Sequence, residues 1–237
     1  MILGILQTGR VSDEARALYG GYPEMFARLF EPRGFEQRVW MVVDGEFPDG
    51  PDAADAWLIT GSPHGVYEDR PWIAPLERLI HEIRDADRPL VGICFGHQIV
   101  AQAFGGRVEK YEGGWALGRR DYQIAGQTLA MNAAHQDQVV EPPAGAEHLG
   151  GNAFTKHAVL AYGDHILTVQ PHPEIEAGFM GYLLRLRGTH LSPEELEAAI
   201  AELEAKNDAD RAADWIAEVL RGTPVKRAMS RLEPATA

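Results

Sequence analysis

Residues 91–98 read Val-Gly-Ile-Cys-Phe-Gly-His-Gln, and Cys94 at their centre is the single cysteine of the chain. An apolar run precedes it and an amphipathic stretch follows. The pattern Gly92-x-Cys94-x-Gly96 therefore predicts a strand, a tight turn and a helix, the geometry that stands a nucleophile at the end of a strand. Glycine on both sides keeps side chains out of the crowded turn, so the sulfur is expected exposed at the strand's C-terminal end. Free N–H groups at the start of the helix add partial positive charge, a setting suited to a nucleophilic thiol. The motif alone leaves a buried, inert cysteine equally open.

The surrounding pattern sets the fold class. Strand-like runs at 2–6, 37–43, 56–60 and 89–93 alternate with helix-like runs at 23–30, 72–83 and 96–104, the last closed by Gly105-Gly106. Such alternation predicts an α/β fold with a mostly parallel central sheet and helices on both faces. Between about 107 and 170 short strands with Gly and Asp turns take over, including a hairpin of 159–162 and 166–169 around Gly163-Asp164. That stretch predicts an antiparallel extension that returns to the core at Gln170. After residue 190 the composition shifts. Ser192-Pro193-Glu194-Glu195 reads as a capping box opening a helix to about 206, with a second helix at 209–220 and a frayed last dozen residues. The expected organisation is one domain over 1–190 and a helical extension over 191–237.

A nucleophilic cysteine needs a base, and the base needs an orienting group. Among nine histidines, His172 in Gln170-Pro171-His172-Pro173-Glu174 directly follows a predicted strand. Pro173 biases His172 toward an extended conformation, in which residues two apart face the same way, so Glu174 can reach the imidazole. Gln98, one helical turn beyond Cys94, projects near the sulfur. Thr60-Gly61-Ser62-Pro63 ends the third strand, where a glycine-containing turn can aim backbone N–H groups at an oxyanion. A metal site from His135, Asp137, His172 and Glu174 is conceivable by ligand type but follows no metal-binding motif.

Gly-Ile-Cys-Phe-Gly-His-Gln, Gln-Pro-His-Pro-Glu and Thr-Gly-Ser-Pro together resemble the class I (triad) glutamine amidotransferases, with most similarity to the glutaminase domain of GMP synthetases. The resemblance runs from about residue 1 to 188 and implies their flavodoxin-like fold. It implies that Cys94 is the nucleophile, His172 the general base and Glu174 its orienter. It further implies that the amides of Ser62 and Phe95 form the oxyanion hole, that Gly61 contacts the substrate, and that Gln98 holds the substrate's amino-acid end. Residues 133–137, Ala-Ala-His-Gln-Asp, resemble a glutamine-contacting Ser-His-Gly-Asp stretch, with Ala134 and Gln136 standing for serine and glycine beside His135 and Asp137.

The implied reaction is hydrolysis of L-glutamine to glutamate and ammonia through a Cys94 γ-glutamyl thioester, with no cofactor. No Gly-x-x-x-x-Gly-Lys-Ser/Thr phosphate loop occurs in the chain. A separate synthase subunit would then receive the ammonia. The alternative is a stand-alone γ-glutamyl hydrolase or peptidase on the same triad, and a non-catalytic regulatory module ranks third. A net charge of −13 argues against nucleic acid as a partner. No apolar run suits a membrane span, no signal-peptide pattern opens the chain, and one cysteine cannot form an internal disulfide. Cytoplasm is the expected compartment.

Overall fold

A computed structural model describes residues 1–189 and 191–230. Its strands are β1 (Ile2–Leu6), β2 (Glu36–Trp40), β3 (Ala56–Ile59), β4 (Leu90–Ile93), β5 (Arg107–Lys110), β6 (Ala116–Ile124), β7 (Gln127–His135), β8 (Asp137–Glu141), β9 (Glu147–Gly151), β10 (Val159–Tyr162) and β11 (Ile166–Val169). Its helices are α1 (Asp13–Tyr19), α2 (Tyr22–Phe30), α3 (Ile73–Asp85), α4 (Phe95–Ala103), α5 (Ala177–Arg187), α6 (Pro193–Ala201), α7 (Ala209–Leu220) and α8 (Val225–Ser230).

Among the described residues one sheet has nine strands in the order β2-β1-β3-β4-β11-β10-β9-β6-β7. From β2 to β11 all neighbours pair in parallel. From β11 to β7 they pair antiparallel, starting with the expected hairpin, in which Tyr162 faces Ile166. The parallel centre with an antiparallel extension is the α/β fold that the pattern implies. β5 and β8 form a separate antiparallel pair.

The central strands are apolar because both faces are covered. Leu3, Ile5, Leu58, Val91 and Ile93 point to a core shared with Phe26 and Phe30 of α2 and Trp215, Ile216 and Leu220 of α7. Their strand neighbours Leu6, Trp57, Ile59 and Leu90 point the other way, to Leu76 and Ile80 of α3 and Ile99 of α4. The period of two follows from the pleat. A third cluster, with Ala15 of α1 and Phe179, Met180 and Leu184 of α5, packs against Leu117 of β6.

The segment expected as a helical extension contributes directly to this packing. Asp208 leads into α7, accepting from Ala130 N at 2.9 Å and donating its own N–H to Ala130 O at 2.7 Å, which ties the helix to edge strand β7. The Ser192 capping box is present, with Ser192 N to Glu195 Oε2 at 2.8 Å and Glu195 N to Ser192 Oγ at 3.2 Å. The helix it opens ends at Ala201, short of 206, because a 3₁₀ turn at Glu202–Glu204 tucks Leu203 into the third cluster. The expected frayed end instead begins with α8, whose Val225, Ala228 and Met229 are buried; residues 231–237 lie outside the described part. Strand β2 stops at Trp40, not 43, because a 3₁₀ turn at Val42–Asp44 drops Val42 into the core.

His97 of α4 is fully buried, with Nδ1 2.8 Å from Thr168 Oγ1 on β11. Burial, then the His135 charge, pushes its pKa down to about 3; burial and the His172 charge do the same to His135. Both are neutral in the fold but take up protons near pH 6.5 when unfolded. The stability they allow is therefore complete above about pH 6.5 and erodes as pH falls toward about 3, by roughly 1.4 kcal/mol per pH unit for each histidine. Urea denaturation between pH 7 and 4.5 should show this decline, and His97→Asn should be less stable at pH 7 yet decline less steeply.

Candidate active site

Three adjacent strand ends meet at one point. Cys94 follows β4, the loop carrying His172 and Glu174 follows β11 on one side, and Gly61 and Ser62 follow β3 on the other. Ligand sites of open α/β sheets lie at such C-terminal strand ends. Cys94 caps α4 with φ 53° and ψ −101°, a conformation non-glycine residues rarely hold without support from their surroundings. Support comes from close backbone approach. A methyl group on Gly92 would collide with the Gly96 carbonyl, and one on Gly96 with the Ile59 carbonyl of β3. Cys94 N donates to Val169 O at 2.9 Å, which fixes the elbow to β11.

His172 and Glu174 are both buried, and His172 Nδ1 lies 2.7 Å from Glu174 Oε1. A hydrogen bond there leaves Nε2 for chemistry. Nε2 makes no well-formed hydrogen bond, and besides Glu174 it is Cys94 that acts on the ring. Burial opposes a charged imidazole, but the Glu174 and Cys94 charges outweigh it and hold the His172 pKa well above its usual value. Gly61 completes the contact: a methyl there would stand 3.1 Å from His172 Cε1 and 3.8 Å from Cys94 Cβ.

The turn after β3 is held by hydroxyl groups. Ser62 Oγ donates to Thr8 O at 2.7 Å and accepts from His64 N at 3.2 Å, and Thr8 Oγ1 donates to Thr60 O at 3.0 Å. The backbone N–H groups of Ser62 and Phe95 donate to no protein acceptor among the described residues. Gln98 is buried. Its Nε2 donates to Asp137 O at 2.8 Å and to Gln170 Oε1 at 3.1 Å.

A cavity of about 430 Å³ opens over this point. Cys94, His172, Ser62, Gln98, Ala134, His135, Gln136 and Asp137 all line it. Glu174 sits behind His172, while Phe95 and Gly61 flank Cys94 without lining the cavity. Ala15 of α1, the residues just before that helix, one face of α5 and Trp115 complete the wall.

The family model for class I glutamine amidotransferases matches residues 18–184. The chain belongs to that family. It is 32% identical over 218 residues to gamma-glutamyl peptidase 4 of Arabidopsis thaliana, an alignment spanning 84% of this chain and 86% of that one. It is 30% identical over 131 residues to a subunit of the glutamine-hydrolyzing GMP synthase of Saccharolobus solfataricus, spanning 52% of this chain and 68% of that one. Among solved structures, a glutamine amidotransferase from Methylobacillus flagellatus superposes with a TM-score of 0.73 at 17% identity, covering 99% of this chain and 98% of that one. This amidotransferase-family chain is thus a cysteine-nucleophile amide hydrolase.

Tyr22, Asn132 and the structural role of Gln136 escape sequence reasoning. Gln136 does more than stand in for glycine: its Nε2 donates to Tyr111 O at 3.1 Å while its carbonyl accepts from Tyr111 N at 3.2 Å, which anchors the loop leading to Trp115. Tyr22, at the start of α2, lines the cavity, and burial followed by the charges of Cys94 and Glu174 pushes its pKa up. The phenol stays protonated. Asn132 on β7 grips the His172 loop at both ends. Its carbonyl accepts from His172 N and its Nδ2 donates to Ile175 O, both at 2.8 Å. His172 stands out through its flanking prolines and Glu174 two residues on, whereas an asparagine in a strand sends no comparable signal.

Asn132 does not line the cavity, so its effect on turnover must pass through the loop. Asn132→Ala keeps the backbone bond to His172 but frees Ile175 and the Glu174 end. Small misplacement of a catalytic group costs on the order of 100-fold. Steady-state kinetics should show kcat down roughly 10- to 100-fold with KM little changed.

Proposed function

We propose that this chain hydrolyses γ-glutamyl amide bonds through a Cys94 thioester, and that its preferred substrates are γ-glutamyl peptides. The observation that carries the choice of peptide over glutamine is the cavity wall formed by α1, α5 and Trp115. Glutamine releases only ammonia, which needs no such wall. Similarity to gamma-glutamyl peptidase 4 over most of both chains supports the same reading.

Cys94 Sγ attacks the γ-carbonyl carbon with the proton of the pair held on His172 Nε2, and the N–H groups of Ser62 and Phe95 receive the developing oxyanion. The C–N bond breaks as His172 returns the proton to the departing amine, leaving a γ-glutamyl thioester. Water, deprotonated by His172, then attacks the thioester carbonyl; the C–S bond breaks, glutamate departs and the thiol is restored. Glu174 keeps Nδ1 protonated and compensates the imidazolium. At the glutamyl end Asp137 faces Lys110 across the β5–β8 pair, and both line the cavity. They supply a carboxylate and an ammonium for a zwitterionic amino acid. Gln98, its amide donors already used, offers Oε1 to the α-ammonium.

A second reading, hydrolysis of free glutamine with ammonia passed to a separate synthase subunit, draws on the similarity to the glutamine-hydrolyzing GMP synthase. Steady-state kinetics without any partner distinguish the two. The proposal expects kcat/KM for γ-glutamyl dipeptides at least roughly tenfold above that for glutamine, the discrimination that about 1.4 kcal/mol of leaving-group contact supplies. Preference for glutamine, rising with an added synthase subunit, would overturn it.

Variants test the assigned roles on the better substrate. Cys94→Ser should abolish turnover and labelling by a glutamine-analogue electrophile. His172→Ala should cost roughly 100- to 10,000-fold in kcat, since both proton transfers are lost. Glu174→Gln should cost less, since the acid–base group itself remains.

A further inference from the structure

α5 starts three residues after Glu174, so the helix is laid down along the His172 side of the cavity. Phe179, Tyr182, Leu183, Leu186 and Arg187 of this helix line the cavity. Their spacing of three, four, seven and eight residues from Phe179 places them on one helical face. Because His172 hands its proton to the departing amine, this face lies where a leaving group must pass.

Most of that face is apolar or aromatic, and it ends in a cation. Arg187 Cζ sits 4.8 Å from the Trp115 ring centroid. Among the described residues it has no carboxylate within ion-pair distance, in contrast to Arg10, the other arginine lining the cavity, which pairs with Asp44. Arg187 is half-buried, whereas Arg185, off the cavity face, is exposed and turns back to Gly181 O at 3.4 Å. A guanidinium stacked on an indole keeps its in-plane N–H donors free for a planar carboxylate. Tyr22 feels the charge of Arg187 together with those of Cys94 and Glu174, so the arginine belongs to the electrostatic surroundings of the reacting atoms. The loop holding Trp115 is itself secured by Gln136, and α1 is fastened to α5 by Ser12 Oγ and Tyr182 OH at 3.1 Å. The lobe is a built surface.

We infer that Arg187, stacked on Trp115, binds the free carboxylate of the leaving group, so that the substrates are γ-glutamyl conjugates of apolar α-amino acids or short peptides with an open C-terminus. This rests on the peptidase reading above and sharpens it. Lys110 and Asp137 serve the glutamyl end, which glutamine shares. Arg187 serves a carboxylate that glutamine lacks. Tyr182, Leu183 and Leu186 give the apolar side chain of the leaving residue its contact surface.

The test compares γ-Glu-Leu with its C-terminal amide, γ-Glu-Leu-NH₂, and with L-glutamine, on the full chain. A charge-assisted bidentate contact should favour the free carboxylate by roughly 10- to 100-fold in kcat/KM, chiefly through KM. Arg187→Gln should bring the ratio close to one, and Arg187→Glu should invert it. Labelling of Cys94 by a glutamine-analogue electrophile reports whether each variant retains a formed site. Should the variants fail to fold, product inhibition of the wild type decides: leucine should inhibit more strongly than leucinamide. Equal use of acid and amide by the wild type, or a ratio that survives Arg187→Gln, would overturn the subsite and leave the peptidase reading standing. Turnover of glutamine alone, with neither dipeptide cleaved, would overturn both.

Discussion

Everything at the reaction point hangs on the backbone of Cys94. A side chain at φ 53° is held there at a cost on the order of 1–3 kcal/mol, and the surroundings must supply it. They do so through two glycines. Gly92 lets the start of α4 fold back onto β4, and Gly96 lets α4 lie directly against the β3 carbonyl at Ile59. Any side chain at either position would lift the helix off the sheet and let the elbow relax. The same close approach puts the Phe95 N–H beside the sulfur and brings the β3 turn alongside. One local packing constraint therefore sets the proposed nucleophile and its proposed oxyanion donors together.

The acid–base partner poses a different problem. His172 and Glu174 are buried, and taking charged groups out of water is costly unless they find partners. The 2.7 Å hydrogen bond between them and the nearby thiol provide that compensation, which is why the imidazole holds its proton more firmly than a solvated one. Such compensation depends steeply on geometry. Pro171 and Pro173 stiffen the loop, and Asn132 reaches over from β7 to bind it on both sides of Glu174. The antiparallel extension of the sheet thus reaches the site: it carries β7, and through β7 the clamp on the loop of His172 and Glu174.

Where local chemistry dictates structure, the sequence was legible. The glycine-flanked elbow, the proline-flanked histidine and the alternating apolar runs each announce a fixed backbone shape, and the parallel sheet follows from their order. Beside the cavity, α1 and α5 gave no such announcement. The first has only seven residues, too few for periodicity to show, although Ser12 followed by Asp13 and Glu14 is a start signal. The second contains Gly178 and Gly181, poor helix formers, and is apolar on more than one face because it is packed between the third core cluster and the cavity. Asn132 and Tyr22 were hidden for another reason. Their roles depend on partners far away in sequence, and no spacing rule reports such contacts.

The division between legible and hidden elements follows the division of labour in the site. The residues proposed to break the amide bond sit at strand ends, where sheet register fixes them against one another: Val169 beside Ile93 and Ile59 beside Gly92 place His172, Cys94 and Gly61 within reach. A reaction shared by every γ-glutamyl amide requires nothing more. Discrimination among those amides requires contacts beyond the scissile bond, and the proposed ones come from α5, packed on the sheet through side chains, and from Trp115, just before β6. Such elements can be re-faced without disturbing register. In the proposed reading the rigid sheet determines what bond is cleaved and the face of α5 what can be attached to it, so that a chain with the elbow and triad expected of a glutaminase can serve a larger substrate.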